Sequence, residues 1–329
     1  MSNRSIKDYM VLTLKGMAMG AADVVPGVSG GTIAFISGIY EELLSTISGV
    51  RPRLITVLRK EGLKSFWKEL NGNFIVALFL GILISIASLA TVIKYLLREQ
   101  PVLLWSFFFG LIIASVFLVG KQVRNFKAPI NIIGLIAGTV IAYFITLATP
   151  TGESQNLIYI FFCGSIAITA MILPGISGSF ILLLLGAYTT VLGTVSDLIQ
   201  FLKNGQFGEM VSGVTLIAVF AAGCLTGLLG FSGALSWLFK KAHDFTVAVL
   251  TGFLIGSLNK VWPWKHTLES IVLHPGEPNE RVVPMVEENV LPQAFNGDPQ
   301  LLFAILLALA GFGLIMILDR FAPENQEAA

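Results

Sequence analysis

The chain has 329 residues, of which 55% are hydrophobic and only 12% are charged, and its mean hydropathy is +0.81. A soluble protein of this length needs a charged surface that this composition cannot supply, so a membrane protein is predicted. The formal net charge of +1 gives no support for nucleic-acid binding.

The first apolar segment, residues 9–47, is interrupted by the string VVPGVSGGTIAF at Val24–Phe35. Pro26 disfavours helix at the residue before it, and Gly27 permits a sharp reversal of the chain. Ser29 then takes the N-cap position of a second helical arm. The segment is therefore predicted to be a broken helix. The backbone N–H groups that the second arm leaves without intrahelical acceptors are those of Gly30, Gly31 and Thr32.

Charged residues accompany this break. Asp23 lies three residues before Pro26, about 5 Å along a helix, and deeper in an apolar run than any other charge. An intramembrane acid is functional by default, so Asp23 is a candidate for proton coupling or for organising the tip, with helix capping as the structural alternative. Lys15 and the pair Glu41–Glu42 lie about 15 Å along the two arms, at the membrane interface, either as a gate or as an interfacial ion pair.

Six continuous apolar runs have roughly the 20 residues that a helix needs to cross a bilayer. They are continuous rather than alternating, which favours helices over the strands of a barrel. The predicted fold class is an all-α polytopic membrane protein. The runs are Phe74–Leu97, Val102–Gly120, Ile130–Thr149, Val211–Leu238, Phe245–Trp262 and Leu301–Leu318.

A near copy of the first break, LPGISGSFIL, interrupts the segment 157–196. Aligning Pro26–Ser48 with Pro174–Ser196, at an offset of 148, gives 10 identical residues among 23, and GLIIAS at 110–115 matches GFLIGS at 252–257 at an offset of 142. The chain is therefore predicted to be a duplication with halves near 1–150 and 151–329. The second copy of the motif comprises Pro174, Gly175, Ser177, Gly178 and Ser179.

The basic residues predict the orientation, because loops rich in lysine and arginine face the cytoplasm. Arg51–Lys68 carries six basic residues and Lys121–Lys127 carries three, so both are predicted to be cytoplasmic. Residues 149–156 carry none, and the loop 263–300 is net acidic, so both are predicted to lie outside. Both termini then lie in the cytoplasm, and the two halves have inverted topology. Each repeat is predicted to be a re-entrant hairpin plus three transmembrane helices, with a pair of full spans in place of each hairpin as the alternative.

One broken helix approaches from each side, so the two tips are predicted to meet near the membrane midplane. Irregular backbone at that depth requires protein or a wet cavity around it, and helix N-termini attract anions, phosphate most naturally. Close helix packing is the alternative role of the glycines and serines, but two breaks in inverted repeats favour a transport site. The hydroxyl groups available as further donors are those of Ser29, Thr32, Ser177 and Ser179.

The residues give no support for a disulfide, a metal site or an enzyme active site. Cys163 and Cys224 lie far apart inside apolar runs and are interpreted as buried hydrophobic residues. The three histidines lie in connecting segments without ligand spacing, so we expect neither a metal nor another cofactor. Because there is no nucleophile–base cluster either, we do not expect an enzyme. The N-terminus is not followed by a small-residue cleavage site, so no removed signal peptide is predicted.

The string GMAMGAADVVPGVSGGTIAFISGIYEELL (Gly16–Leu44) and its echo LPGISGSFILLLLGAY (Leu173–Tyr188) resemble a bacterial membrane family assigned as polyprenyl-phosphate transporters. The likeness covers essentially the whole chain. It implies flipping of undecaprenyl phosphate across the bacterial cytoplasmic membrane, which returns the carrier lipid from the outer to the inner leaflet for cell-wall synthesis. The motif positions that carry over are Asp23, Pro26, Gly27, Ser29, Gly30 and Gly31, with Pro174, Gly175, Ser177, Gly178 and Ser179 in the second copy.

The expected partners are therefore a polyprenyl-phosphate lipid and the bilayer itself. A transporter or channel for a small soluble anion is the alternative, because two opposed helix N-termini serve such an anion equally well. A scaffold for other membrane enzymes leaves the duplicated breaks unexplained. The loop Pro263–Gln300 matches nothing in the resemblance and is given no role.

Overall fold

A computed structural model of the chain describes residues 4–25, 28–152, 154–204, 210–273 and 281–321. The described chain is mostly helical, with one antiparallel pair of strands, β1 (Lys265–Leu273) and β2 (Arg281–Asn289). The helices in chain order are α1 (Ile6–Asp23), α2 (Gly30–Ile36), α3 (Tyr40–Ser48), α4 (Arg53–Glu69), α5 (Gly72–Glu99), α6 (Pro101–Gly120), α7 (Pro129–Leu147), α8 (Leu157–Ile172), α9 (Gly178–Leu184), α10 (Tyr188–Asn204), α11 (Met210–Lys241), α12 (His243–Ser257) and α13 (Leu301–Phe321).

The six apolar runs correspond to α5, α6, α7, α11, α12 and α13. Among the described residues, α5, α6, α7 and α11 contain stretches long and apolar enough to cross a membrane, and the bent pair α9–α10 is a fifth candidate. Helices α8, α12 and α13 have shorter apolar stretches. The chain is therefore a helical integral membrane protein.

In each broken segment, the arm that follows the break is itself divided into two helices by a bend. We did not predict this bend from the sequence. In the first segment α2 and α3 are separated by Gly38, with φ +73°, and in the second α9 and α10 are separated by Gly186, with φ +62°. The angle between α9 and α10 is 106°. The two glycines are equivalent at the repeat offset of 148, and their left-handed backbone conformation ends each short helix.

Glycines at helix crossings show that equivalent residues of the two halves make equivalent contacts. Gly16 and Gly81 lie where α1 crosses α5, and Gly164 and Gly223 lie where α8 crosses α11. Each of the four lies so close to the opposite helix that a Cβ there would overlap a backbone carbonyl oxygen. Small residues allow membrane helices to approach in this way.

Four further helices pair across the two halves. At the α6–α13 crossing Gly110 and Gly311 lie against the opposite backbone, and at the α12–α7 crossing Gly252 and Gly138 do the same. Gly110 and Gly252 differ by the offset 142, and Gly138 and Gly311 differ by 173. Helix α6 thus packs on α13 as α12 packs on α7, so the two halves interlock and do not form two separately packed bodies.

The loop 263–300 contains a β-hairpin, which the sequence analysis did not predict, so the fold is helical with one β insertion. Lys265 pairs with Asn289 at the open end of the hairpin. The Trp262 indole donates to the Val290 carbonyl oxygen at 2.9 Å, and the Trp264 indole donates to that of Pro299 at 2.9 Å. These bonds attach the base of the hairpin to the helices α12 and α13 that flank it.

Candidate functional site

The two helix breaks lie in direct contact. The Ser29 hydroxyl donates to the carbonyl oxygen of Met171 at 3.1 Å, and the Gly175 N–H donates to Thr32 Oγ1 at 2.9 Å. Ser29, Thr32 and Gly175 are all buried. The structure therefore brings most of the predicted site residues of both copies into one region. The predicted site residues that lie outside the described part of the chain are Pro26 and Gly27.

The backbone donors of the first break have no acceptors within α2, as expected of a helix start, but groups outside the helix occupy all three of them. The Asp23 carboxylate accepts the Gly30 N–H at 2.7 Å, and Ser29 Oγ accepts the Gly31 N–H at 3.1 Å. The Thr32 N–H donates to the Ser29 carbonyl oxygen at 2.9 Å. Ser29 is the N-cap of α2, as predicted. Asp23 caps the same helix from the end of α1, which is the structural role that we had set beside proton coupling.

The turn of the second break has the geometry that its proline and glycine require. Helix α8 ends at Ile172, and Leu173 is extended with ψ 131°, the conformation favoured before Pro174. Gly175 has φ +85°, and a Cβ there would lie 2.9 Å from the Ser257 hydroxyl oxygen on α12. A side chain at position 175 is therefore disfavoured both by conformation and by space.

The second break differs from the first in leaving its donors open. In the described part of the chain, no residue accepts a hydrogen bond from the backbone N–H groups of Gly178, Ser179 and Phe180. Ser177 has the extended backbone of an N-cap, with φ −93° and ψ 128°, but its side chain makes no capping bond. Its hydroxyl instead lies 2.9 Å from that of Ser179, which is exposed. The second tip thus presents unpaired N–H groups beside two hydroxyls.

Lys15 and Glu42 do not pair with each other, and each has a different partner. Lys15 Nζ donates to the carbonyl oxygen of Ser37, after the end of α2, at 2.6 Å. Glu42 forms an ion pair with Arg4 and accepts from Asn71 Nδ2 at 2.9 Å. The ion pair of the first segment is therefore Arg4–Glu42 and does not involve Lys15, which links α1 to the end of α2.

Glu41 points to the second half of the chain. Its Oε1 atom lies 3.6 Å from Nε2 of His243, the first residue of α12. Glu41 and Glu42, together with Lys240, line a cleft of about 230 Å³ between α3 and α11. The glutamates therefore border a small polar opening, and the gating role stays a prediction.

A buried cluster of three charges lies beside the second tip, and the sequence analysis did not predict it. Lys260 Nζ lies 2.8 Å and Lys265 Nζ 3.6 Å from the same carboxylate oxygen of Glu287, and the three side chains are only 13%, 6% and 15% exposed. Lys260 Nζ also lies 4.4 Å from the centroid of the Phe180 ring in the first turn of α9. Lys265 Nζ lies 3.9 Å from the centroid of the Trp105 ring.

The protonation of this cluster follows from its burial. Lys265 and Glu287 lie on the strands of the hairpin, outside the membrane-spanning helices. Burial lowers the pKa of Lys265 to about 8, against the attraction of Glu287. Burial by itself would raise the pKa of Glu287, but the two lysines outweigh it and hold that pKa below its ordinary value. At neutral pH Lys265 therefore keeps most of its positive charge and Glu287 keeps its negative charge.

A largely apolar cleft of about 580 Å³ adjoins the cluster. It lies between α6, α7, the end of α12 and the end of β2, and Asn259 and Asn289 on its wall are near neighbours in sequence of Lys260 and Glu287. The aromatic and aliphatic side chains that line it are those of Phe109, Tyr143, Ile255, Leu258, Trp262, Val290 and Leu291.

The described residues contain no group of three or more histidine, cysteine or acidic side chains that is arranged to hold a metal ion. Cys163 is buried and Cys224 is half-buried, and neither is in a disulfide.

The fold and the paired breaks define a polytopic helical membrane protein with two broken helices that meet inside it. The chain belongs to the undecaprenyl phosphate translocase-like family, described as VCA0040-like, whose family model matches residues 19–278 and so includes both breaks. This confirms the family that the motifs indicated.

Two relatives extend the match. The chain is 44% identical over 321 residues to a protein of Vibrio cholerae serotype O1 named polyprenyl-phosphate transporter, with 96% of this chain and 98% of the relative covered. It is 34% identical over 262 residues to a Staphylococcus aureus protein of the same name, with 76% and 85% covered. No solved structure matches the chain significantly.

Proposed function

We propose that the protein moves a polyprenyl phosphate, with undecaprenyl phosphate as the main substrate, across the bacterial cytoplasmic membrane. The net direction proposed is from the outer to the inner leaflet, which recycles the carrier lipid for cell-wall synthesis. The observation that carries the proposal is the contact between the two breaks, where unpaired N–H donors and hydroxyls lie inside a membrane protein of this family. The names of the two relatives support the same substrate.

The second tip is the proposed binding place for the phosphate headgroup. The N–H groups of Gly178, Ser179 and Phe180 and the hydroxyls of Ser177 and Ser179 are donors that a phosphate accepts well. Because α9 has only seven residues, these local donors contribute more than a long helix dipole. They hold an anion without a fixed cation at the tip itself, which allows release on the other side.

The first tip is proposed to bind phosphate only after Asp23 has moved or become protonated. The Asp23 carboxylate occupies the Gly30 N–H, which is a position that a phosphate oxygen needs. An ionised carboxylate there also repels a phosphate, and a protonated one does not. A proton-linked cycle follows, in which Asp23 and the headgroup alternate at the first tip.

Alternating access is the proposed transport mechanism, with the two repeats exchanging conformations. Its support is the equivalence of the helix crossings, since α6 packs on α13 as α12 packs on α7. In an inverted repeat such an exchange converts an outward-open state into an inward-open state. The difference between a closed first tip and an open second tip is the asymmetry expected of one such state.

Transfer of a fluorescent short-chain polyprenyl phosphate between leaflets of reconstituted liposomes tests the function. We expect transfer well above that of protein-free vesicles, and no uptake of inorganic phosphate in the same vesicles. Transfer equal to that of protein-free vesicles would refute the flippase proposal. Phosphate uptake without lipid transfer would establish the alternative, a transporter for a small soluble anion.

A serine variant tests the site within the same assay. Ser177→Ala combined with Ser179→Ala removes both hydroxyl donors of the second tip. We expect lipid transfer to slow by about tenfold or more, because a hydrogen bond to a charged group contributes about 1.5–3 kcal/mol. The control is Ser88→Ala on α5, whose hydroxyl donates only to the Ile84 carbonyl oxygen. Equal rates in the double variant and the control would remove the serines from the site.

A further inference from the structure

We infer that Lys260, Lys265 and Glu287 form a second anion-binding site, which receives the phosphate headgroup of the lipid before it reaches the second tip. The site is built from the turn after α12 and from both strands of the hairpin. It rests on the proposed function for the identity of the ligand as a lipid phosphate. It gives a role to the loop 263–300, which the motifs of the breaks do not explain.

The charge balance of the cluster is the first argument. Two ammonium groups share one carboxylate, and all three side chains are more than four-fifths buried. A buried charge without a partner is costly, and in the described part of the chain no second carboxylate pairs with either lysine. An incoming phosphate supplies the missing negative charge and up to three acceptor oxygens.

The positions of the two ammonium groups are the second argument. Lys265 Nζ donates to the Lys260 carbonyl oxygen at 2.6 Å, so the two lysines are held together independently of Glu287. Lys260 Nζ lies over the ring of Phe180, whose backbone N–H is one of the unpaired donors of the second tip. A phosphate bound to Lys260 therefore lies next to the tip that is proposed to accept it.

The adjoining cleft is the third argument, and it favours a lipid phosphate over free phosphate. Asn259 and Asn289 line a cleft with aromatic and aliphatic walls, and in the sequence they lie one residue from Lys260 and two residues from Glu287, respectively. A headgroup on the lysines places the first isoprene units of the tail at this cleft, where they are removed from water. Free inorganic phosphate uses only the charged part of the site.

A purely structural role makes opposite predictions. If the cluster only attaches the hairpin to the helices, then Glu287→Gln loosens the hairpin and cannot improve the binding of an anion. If the cluster is an anion site, Glu287 competes with the phosphate for the lysines. Its neutralisation then strengthens binding, while neutralisation of either lysine weakens it.

The test is the affinity of the purified full-length protein for farnesyl phosphate, measured by tryptophan fluorescence. Trp105 lies over Lys265, so binding is expected to change its emission directly. Lys260→Gln and Lys265→Gln are each expected to weaken binding about tenfold or more, the effect of one charge-assisted hydrogen bond. Glu287→Gln is expected to tighten it severalfold. The matched control is Arg98→Gln, because that side chain is 79% exposed at the end of α5 and is expected to leave affinity unchanged.

Two further ligands show whether the site binds a lipid phosphate or free inorganic phosphate. Inorganic phosphate is expected to bind more weakly than farnesyl phosphate but with the same dependence on the two lysines, and farnesol is expected to lose that dependence. Wild-type affinity in both lysine variants would overturn the inference, and so would weaker binding in Glu287→Gln. If a glutamine variant does not fold, Lys260→Met and Lys265→Met replace the charged side chain with an apolar one of similar length, and weaker binding in them supports the site whereas wild-type affinity contradicts it.

Failure of the inference is distinguishable from failure of the function. Lysine variants that bind and transfer lipid like the wild type would refute the second anion-binding site and leave the flippase proposal intact. Wild-type protein that binds farnesyl phosphate through the lysines but transfers no lipid would refute the flippase and leave the anion site.

Discussion

The surroundings of Asp23 bear directly on how proton binding and headgroup binding could be linked in the proposed mechanism. It is the last residue of α1, and its carboxylate accepts the N–H of Gly30, the first residue of α2. Helix capping and proton coupling were alternatives from the sequence, and the geometry makes them compatible. An ionised carboxylate accepts that N–H in a charge-assisted bond, and protonation weakens the bond and removes the negative charge, so that a phosphate can compete for the donor.

Asp23→Asn tests this coupling. The asparagine oxygen still accepts the Gly30 N–H, and asparagine is as good a cap as aspartate, so we expect a stability change below about 1 kcal/mol. The titratable charge is lost, so transfer of polyprenyl phosphate should no longer respond to an imposed pH gradient. The measurement is leaflet transfer in liposomes with and without a gradient, with Glu61→Gln on helix α4, which is predicted to be cytoplasmic, as the control. An unchanged response would remove Asp23 from the transport cycle.

At the scale of elements, the closest helix crossings depend on glycine. A Cβ on Gly81 in α5 would overlap the carbonyl oxygen of Thr13 in α1, and Gly223 in α11 lies against α8 in the same way. Gly230, also in α11, has no neighbouring atom within 4 Å of the position of a Cβ. The same residue type is therefore required at some positions of these helices and replaceable at others.

Gly81→Ala and Gly223→Ala are each expected to lower the stability of the purified protein by about 1–3 kcal/mol, because the added methyl group forces two helices apart. Gly230→Ala is the control and is expected to be neutral or slightly stabilising, since alanine favours helix by up to about 1 kcal/mol. Thermal unfolding in detergent measures all three. Equal unfolding temperatures for Gly81→Ala and Gly230→Ala would contradict the close crossing of α1 and α5.

At the scale of the molecule, the halves interlock, and each supplies one of the two breaks. The Tyr40 hydroxyl of the first half donates to the Ile172 carbonyl oxygen of the second at 2.9 Å, in addition to the bonds between the tips. Movement of one break therefore changes the surroundings of the other. This coupling is what alternating access between inverted repeats requires.

The predicted inverted orientation of the two halves can be measured directly. In a protein with Cys163 and Cys224 replaced by alanine, we expect Gly152→Cys and Leu291→Cys to react with a membrane-impermeant maleimide in intact cells. Both positions are exposed. Lys64→Cys on α4 should react only after the membrane is permeabilised, because its basic surroundings are predicted to be cytoplasmic. The reverse pattern would overturn the topology and the proposed direction of transport.

Much of the architecture was predictable from the sequence, because the signals that specify it are local. A membrane helix is recognised from one continuous apolar run, and the runs correspond to six of the observed helices. The duplicated PG-SG motifs predicted two breaks and their residues, because proline and glycine act on the backbone at their own positions. The extra bends at Gly38 and Gly186 were missed, since a glycine in an apolar run indicates close packing as readily as a turn.

Only the tertiary structure shows whether the N–H groups of each tip are capped or open, and only the tertiary structure shows the charge cluster. Both copies of the motif have the same pattern of glycine and serine, yet one set of N–H groups is capped and the other is open. At Gly30 the difference arises because Asp23 reaches the N–H, whereas the equivalent residue of the second half, Met171, has no carboxylate and supplies its carbonyl oxygen to Ser29. Lys260 and Glu287 are 27 residues apart and meet only because the hairpin folds back onto α12. Composition and motifs therefore determine a membrane protein with two broken helices, and long-range packing determines which backbone donors stay free and where two lysines meet one carboxylate.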